Sequence, residues 1–196
     1  MGDFFTIKRG LATGDNDFFI LSKEQIEDLD LDLDLKFFTP VLPSSRYLKS
    51  DEVFSDQNGH PQLNIQYFLL NCTLPEDEIR EHHPAIWNYL NSGKDTTAQK
   101  YLCKNRKVWY YQENRSAAPL LCSYMGRGNS EHTAPFRFIL NHTNAIVTNS
   151  YLMLYPKDIL NDVITQYPDI LHKVWEVLTS ITESCASPGG KAHKCA

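Results

Sequence analysis

The sequence between residues 104 and 155 decides the fold and the kind of surface that we expect of this chain. It reads KNRKVWYYQENR at 104–115, YMGRG at 124–128, FRFILN at 136–141 and NAIVTNSYL at 144–152. Arginine, aromatic and amide side chains are interspersed here with Val, Ile and Leu. Guanidinium and amide groups suit phosphates and base edges, and aromatic rings stack on bases. The stretch therefore predicts a surface that binds nucleic acid, not an acid–base or nucleophilic active site.

The chain is acidic as a whole and basic only in one region. Its 196 residues carry a formal net charge of −5. Residues 1–99 hold 8 Lys/Arg against 17 Asp/Glu, whereas residues 100–137 hold 7 against 2. Phosphate binding needs a concentrated basic surface, because neutralised phosphates release their counterions. This balance argues against a stand-alone, non-specific DNA-binding protein and favours a module that shares its electrostatic binding with a partner domain.

The composition indicates a cytoplasmic protein with a sizeable core. Hydrophobic residues make up 42% of the chain and aromatic residues 12%, which suffices to bury such a core. No run of residues approaches the roughly 18 apolar positions of a membrane span, and the first residues lack the pattern of a signal peptide. The five cysteines are widely spaced without a C-x-x-C pair, which is typical of reduced thiols. We therefore expect no membrane contact.

The hydrophobic pattern predicts an α+β fold. Strands are expected where apolar residues alternate or where Val, Ile, Tyr and Phe cluster between turns. The expected strands are 4–7, 18–21, 28–35, 63–70, 107–112, 119–125, 135–141 and 144–155, with the first two paired as a hairpin. Helices are expected at 76–91, broken or kinked at Pro84, and at 158–184, divided at Pro168. The result would be a twisted, mostly antiparallel sheet flanked by helices.

The chain is expected to form a single recognition domain over residues 1–184. A flexible tail would follow at 185–196, where Ser, Pro and Gly are concentrated. Cys185, His193 and Cys195 carry potential metal ligands, but they lie in this tail, so a zinc site is disfavoured.

No complete catalytic motif occurs in the sequence. A nucleotide site usually begins with a glycine-rich turn between a strand and a helix, and Gly126-Arg127-Gly128 lacks the third glycine. Asp34-Leu35-Lys36 matches half of a Mg²⁺-dependent nuclease site, whose further acid would be Asp15 or Asp17. Because the Leu/Asp alternation at 28–35 already explains this triplet, a nuclease is the lesser alternative.

Three groups of residues resemble a known family. The first is KRGLATGDNDFFI at 8–20, the second joins WYYQENR at 109–115 to YMGR at 124–127, and the third runs from FRFILN at 136–141 to YLMLYP at 151–156. In this order they resemble the C-terminal target-recognition (specificity) domain of gamma-type N6-adenine DNA methyltransferases of bacterial restriction–modification systems. The resemblance spans about three quarters of the chain.

The resemblance implies a division of labour between two domains. A catalytic domain, fused to this chain or encoded separately, would bind S-adenosylmethionine and methylate a flipped adenine. The domain in this chain would read the sequence of double-stranded DNA and help to hold the duplex open. On this basis we expect no catalytic residue, no cofactor and no metal in this chain.

The candidate DNA contacts are of three kinds. Arginines suit guanine edges and lysines suit phosphates, whereas a glycine loop lets backbone N–H groups approach a phosphate. Amides read adenine, and aromatic rings stack on an unpaired base. The candidates are Arg9, Thr13, Gly14, Asn16, Lys104, Arg106, Lys107, Trp109, Tyr111, Arg115, Arg127, Arg137 and Asn149.

Each candidate also has a structural alternative. The cations can be solvated or ion-paired, Gly14 can serve the geometry of a tight turn, and Trp109 or Tyr111 can pack in the core. The main functional alternative is a protein-docking module without DNA contacts. That alternative predicts arginines scattered over the folded surface, whereas the nuclease predicts Asp34 and Lys36 beside another carboxylate.

Overall fold

The computed structural model describes residues 1–31, 37–123 and 136–186, with only the backbone described for 183–186. The strands are β1 (Phe5–Arg9), β2 (Ile20–Ser22), β3 (Phe38–Val41), β4 (Glu52–Val53), β5 (Tyr67–Leu70), β6 (Leu120–Ser123), β7 (Arg137–Asn141) and β8 (Tyr151–Pro156). The helices are α1 (Asn16–Phe19), α2 (Lys23–Asp28), α3 (Glu76–His82), α4 (Pro84–Ser92), α5 (Tyr101–Lys104), α6 (Asp158–Gln166) and α7 (Asp169–Ala186). Short 3₁₀ turns occur at Ser45–Tyr47 and Thr97–Gln99.

The larger sheet contains five strands in the order β1-β8-β6-β7-β4. Its pairs are antiparallel except for β4, which lies parallel to β7. Strand β1 pairs with β8, so that Phe5 lies opposite Pro156 and Arg9 opposite Leu152. The expected mostly antiparallel α+β fold is therefore confirmed.

Alternating side chains give this sheet two apolar faces. Leu120 and Phe138 belong to the cluster that α6 and α7 cover, and the Trp175 indole donates a hydrogen bond to the Phe138 carbonyl at 3.0 Å. Leu121, the neighbour of Leu120, belongs to the cluster on the opposite face. Neither of these helices, nor any other helix in the described ranges, is long and apolar enough to cross a membrane.

A smaller sheet of three antiparallel strands, in the order β2-β5-β3, lies beside the larger one. Its core includes Phe19, Ile79 of α3 and Leu90 of α4, all fully buried. Residues 145–149 connect the two sheets. The Leu42 N–H donates to the Ile146 carbonyl at 2.9 Å, and the Leu11 N–H donates to the Val147 carbonyl at 2.8 Å.

The two prolines that were expected to interrupt helices are confirmed at helix boundaries. Pro84 separates α3 from α4, and Pro168 lies between α6 and α7. At the start of α2, Ser22 and Gln25 form a reciprocal capping box, which satisfies two backbone N–H groups. Helix α7 continues to Ala186, two residues past its expected end, and the rest of the expected tail lies outside the described residues.

The expected hairpin between the first two strands is wrong. Strand β1 pairs with β8, and β2 pairs with β5 in the other sheet. The expected strand at 18–21 is divided between the end of α1 and the start of β2. Short apolar runs do not specify their partners, so distant segments of the chain decide the pairing.

The expected strands at 107–112 and 28–35 are also corrected. Residues 107–112 form a bend and a turn followed by irregular chain. Tyr110 is almost fully buried, and its hydroxyl donates to the Leu74 carbonyl at 2.7 Å. Helix α2 ends at Asp28. Leu29 and Asp30 form a turn, and Leu31, which follows, is buried. The remainder of that Leu/Asp alternation, including Asp34 and Lys36, lies outside the described residues.

The close approach of Gly10 to the segment that connects the sheets gives a test of the fold. A Cβ at Gly10 would overlap the Thr148 carbonyl and lie 2.7 Å from the Val147 carbonyl oxygen. We expect Gly10→Ala to lower the unfolding free energy by about 2 kcal/mol or more in urea titrations, because two backbone segments must separate. Gly2→Ala is the matched control, since nothing lies within 4 Å of that added atom. Equal stability of the two variants would contradict the packing of Gly10.

Candidate nucleic-acid interface

The loop at residues 10–16 is held in shape by its own side chains. The hydroxyl of Thr13, which is almost fully buried, donates to the Asn16 Oδ1 at 2.6 Å and accepts from the Asp15 N–H at 3.1 Å. Gly14 has φ +84°, a value that favours glycine. Its α-carbon faces Cys103, whose Sγ would lie 2.7 Å from an added Cβ. Thr13 and Gly14 therefore shape this loop, and Asn16 lies on its exposed side.

The segment from Thr97 to Lys107 packs against this loop. The Arg106 Nη2 donates to the Ala12 carbonyl at 2.8 Å. The Lys100 Nζ lies 2.6 Å from the Asp15 carboxylate, which also accepts from the Thr97 hydroxyl at 2.6 Å. These contacts join parts of the chain that are more than 80 residues apart.

Asp15 is ionised more readily than an ordinary aspartate. Burial alone would raise the pKa of Asp15, but the hydrogen bonds from Lys100 and Thr97 and the charge of Lys100 outweigh it and lower this pKa. The Asp15 side chain is 8% exposed, whereas Lys100 is half exposed. Asp15 therefore serves as an internal anchor for the loop, with its charge already neutralised.

Four cations lie on the strand that leads into the loop and on the segment that packs against it, and we name Arg9, Lys104, Arg106 and Lys107 the basic cluster. Arg9, Lys104 and Lys107 are exposed, and Arg106 is half-buried against the loop. In the part of the chain that the structure describes, neither Lys104 nor Lys107 forms an ion pair. Residues 8–17 and 100–107 together hold six Lys/Arg and two Asp/Glu, of which Asp15 is paired. The surface is thus positive within an acidic chain.

Asn149 belongs to the same region. Its backbone N–H donates to the Leu11 carbonyl at 2.9 Å, and its carbonyl accepts from the Arg9 Nε at 3.3 Å. The side chain is half-buried. The connecting segment thus places Asn149 beside Arg9 and the loop.

The aromatic candidates are packing residues to different degrees. Trp109 is half-buried, with its ring centroid 5.8 Å from that of Phe18 and 6.1 Å from that of Phe19. Its indole Nε1 is buried and has no hydrogen-bond partner. Tyr111 is also half-buried and packs edge-on against Tyr110. The core role that sequence analysis left open therefore applies to most of the Trp109 ring.

The remaining arginine candidates do not join the basic cluster. Arg115 pairs with Glu113 at 2.7 Å. Arg137 pairs with Asp51 and also donates to the carbonyls of Ser45 and Leu48. Arg127 lies outside the described residues.

Sequence analysis missed Lys100 and Thr97 as supports of the loop. No local signal identifies them, because their common partner Asp15 lies more than 80 residues away. Over residues 1–31, 37–123 and 136–186, no group of three or more His, Cys, Asp or Glu side chains is arranged to hold a metal. Asp15, one of the acids considered for a nuclease, is engaged by Lys100 and Thr97.

The lowered pKa of Asp15 predicts a pH-dependent contribution to stability. Since its folded pKa lies below its unfolded value, the stabilisation is present above about pH 4 and is lost as the pH falls through the folded pKa. We expect Asp15→Asn to be less stable than the parent chain at neutral pH in urea titrations, with the difference shrinking in acid. Asp17→Asn is the control, an exposed residue of α1 outside the ion pair. A difference that stays constant down to pH 2 would rule out the charged anchor.

Known proteins resemble this chain over most of its length. Residues 1–182 match the family described as Type II methyltransferase M.Eco57I, C-terminal domain. The chain is also 27% identical over 162 residues to the Type II methyltransferase M.XamI of Xanthomonas campestris pv. amaranthicola, a match that covers 81% of this chain and 27% of that relative's length. The family match confirms the resemblance to a C-terminal domain of a restriction–modification methyltransferase. The chain belongs to the family of the C-terminal domain of Type II methyltransferase M.Eco57I.

Proposed function

We propose that this chain recognises a specific sequence in double-stranded DNA on behalf of an adenine-specific (N6) methyltransferase. S-adenosylmethionine binding and methyl transfer would take place in a catalytic domain, fused or separate, in the cytoplasm. The observation that carries the proposal is the basic cluster around residues 10–16, in a chain whose net charge is −5. The match to only 27% of a methyltransferase relative supports a catalytic part beyond these residues.

The basic cluster suits phosphates because contacts with the loop hold the backbone that carries its cations. Lys104 and Lys107 act as exposed point charges, and each phosphate contact releases counterions. Arg106 reaches the Ala12 carbonyl, and this contact ties the lysine-bearing segment to the loop. A surface that is ordered before binding loses less conformational entropy when the complex forms.

Base reading is assigned to Arg9, Asn16 and Asn149. The Nε of Arg9 is engaged by the Asn149 carbonyl, which orients the exposed guanidinium while its two Nη groups remain able to fork onto a guanine edge. The Asn16 Oδ1 accepts from Thr13, so its amide NH₂ is available to an acceptor on a base or phosphate. Tyr111 supplies a half-exposed ring at the margin of this surface.

Arg115 and Arg137 are left out of the proposed contact surface. Their guanidinium groups already pair with Glu113 and Asp51, and Arg137 donates to three backbone carbonyls besides. For Arg137, breaking several contacts to reach DNA would leave a carboxylate and backbone carbonyls without their donor. The charge of Arg115 is already matched by Glu113. Arg127 stays a prediction from sequence.

Replacing two lysines tests the phosphate role. We expect Lys104→Gln with Lys107→Gln to weaken binding to all duplexes alike and to reduce the slope of log affinity against log salt by about two. Fluorescence anisotropy at low and moderate salt measures both effects. Lys173→Gln on α7 is the control for loss of an exposed lysine. An unchanged slope in the double variant, or no salt-sensitive binding by the folded chain, would favour the protein-docking alternative.

Replacing Arg9 by lysine separates base reading from charge. Lysine keeps the positive charge but lacks the fork that matches a guanine edge. We expect Arg9→Lys to keep most of its non-specific affinity and to lose discrimination at one base pair, by about 1–3 kcal/mol. Selection from a pool of randomised duplexes, followed by sequencing, measures the preference at each position. The same sequence preference in parent and variant would assign Arg9 to phosphate only.

A further inference from the structure

A cavity lies in another part of the molecule and is lined by none of the residues of the basic cluster. This cavity of about 740 Å³ opens between residues 43–54 and residues 62–67. Its rim presents Tyr47, Phe54 and Ile65, which are 69%, 54% and 56% exposed. Its volume is in the range of small-molecule sites, and exposed apolar side chains around a concavity mark binding surfaces.

The segment of residues 45–51, which forms one wall of this cavity, is held by contacts with Arg137. Arg137 pairs with Asp51 and donates to the carbonyls of Ser45, Leu48 and Ser50, the last two at 3.0 and 3.2 Å. The half-buried guanidinium of Arg137 therefore holds the turn that carries Tyr47 and Lys49. A wall held in this way presents its exposed side chains at set positions.

Phe54 forms a flat platform at the rim. Its ring lies 5.3 Å from that of His142, with an angle of 9° between the two planes. His142 is itself held by Glu52, with 2.9 Å between Nε2 and Oε1. One face of the Phe54 ring is thus covered by an anchored imidazole, and the ring is still half exposed, as is suitable for stacking on another planar group.

Amide groups supply hydrogen-bonding capacity beside this platform. The Asn64 side chain lines the cavity, is exposed, and has no hydrogen-bond partner in the described part of the chain. The Gln62 amide donates to the Ser55 carbonyl at 2.7 Å, so its oxygen is available as an acceptor. A donor and acceptors next to an aromatic ring match the edge of a nucleobase.

The charge at the rim complements a phosphate. Lys49 lines the cavity, is exposed, and pairs with no carboxylate within the described ranges. The Arg46 guanidinium lies 5.8 Å from the centroid of Tyr47. The two acids that follow Lys49 in the same segment, Asp51 and Glu52, are engaged by Arg137 and His142. Lys49 therefore lines the cavity, and Arg46 lies beside the ring of Tyr47 at its rim.

We propose that this cavity binds a nucleotide whose base is unpaired. The base stacks on Phe54 and Tyr47, the Asn64 amide bonds to its edge, and Lys49 and Arg46 meet its phosphate. The ligand is either a free mononucleotide or a nucleotide extruded from a DNA strand. In the second case the site rests on the proposed DNA recognition and extends it with a pocket for a base that has left the duplex.

The adenine analogue 2-aminopurine tests the site, because stacking on an aromatic ring quenches its fluorescence. Three probes are titrated with the chain: 2-aminopurine 5′-monophosphate, a duplex with an unpaired 2-aminopurine, and the same duplex with the base paired. We expect the chain to quench the fluorescence of the first or the second probe in a saturable manner and to leave that of the third unchanged. Quenching of the free nucleotide identifies a mononucleotide site, and quenching of the unpaired duplex alone identifies an extruded base. Absence of quenching with both overturns the proposal.

Matched variants localise the quenching. We expect Phe54→Ala to weaken the affinity for the quenched probe, measured as the midpoint of the quenching titration, about tenfold, as loss of one base stack does. Phe4→Ala is the control, since Phe4 is equally exposed at 58% and lies outside the cavity. Equal loss in both variants would overturn the assignment, as would unchanged quenching in Phe54→Ala. DNA recognition is tested separately by measuring how the paired duplex binds in fluorescence anisotropy, with the parent chain and with the Lys104→Gln, Lys107→Gln variant. Either proposal can therefore fail while the other holds.

Discussion

The backbone hydrogen bonds of residues 145–149 are the constraint on which the rest of the structure depends. On one side the Ile146 carbonyl accepts from Leu42, and the Ile146 N–H donates to the Pro40 carbonyl. On the other side Val147 and Asn149 bond to Leu11. One extended segment thus ties the end of the three-stranded sheet to the loop that follows β1. Because these groups are buried, leaving them unpaired would cost more than the bonds themselves gain, so the segment fixes both neighbours at once.

Both candidate sites are built outward from this segment. The loop at 10–16 carries Asp15, which anchors Lys100 and so positions the lysines of the basic cluster. The turn at 43–51 follows Leu42, and Arg137 and Tyr151 hold it through backbone carbonyls, Tyr151 by a 2.6 Å bond to Pro43. Buried charged or polar side chains therefore support each site, while the exposed side chains remain available. Removing part of a guanidinium from water is favourable only where its donors are satisfied, and at the half-buried Arg137 backbone oxygens and one carboxylate satisfy them.

The sequence alone predicts those strands and helix boundaries that depend on local patterns of residues. The strands at β6, β7 and β8 and the proline boundaries at Pro84 and Pro168 follow from periodicity and from the missing N–H of proline. Strand partners do not follow, because β1 pairs with residues almost 150 positions away. The aromatic run at Trp109–Tyr111 resembles a strand by composition, yet its rings are placed by tertiary contacts with Phe18 and Leu74.

The site follows the same rule. Basic and aromatic residues near 104–111 are visible in the sequence, but whether an arginine is available depends on its partner. Arg9 and Arg137 each lie at one end of a strand, Arg9 as the last residue of β1 and Arg137 as the first residue of β7. Folding gives Arg137 a carboxylate and three carbonyls, and gives Arg9 a single bond through Nε. The same contrast explains why the charge pattern of the sequence does not indicate the cavity at Tyr47 and Phe54. Its cations, Arg46 and Lys49, lie in the acidic half of the chain. Only the fold shows that the neighbouring carboxylates of Asp51 and Glu52 are paired with Arg137 and His142.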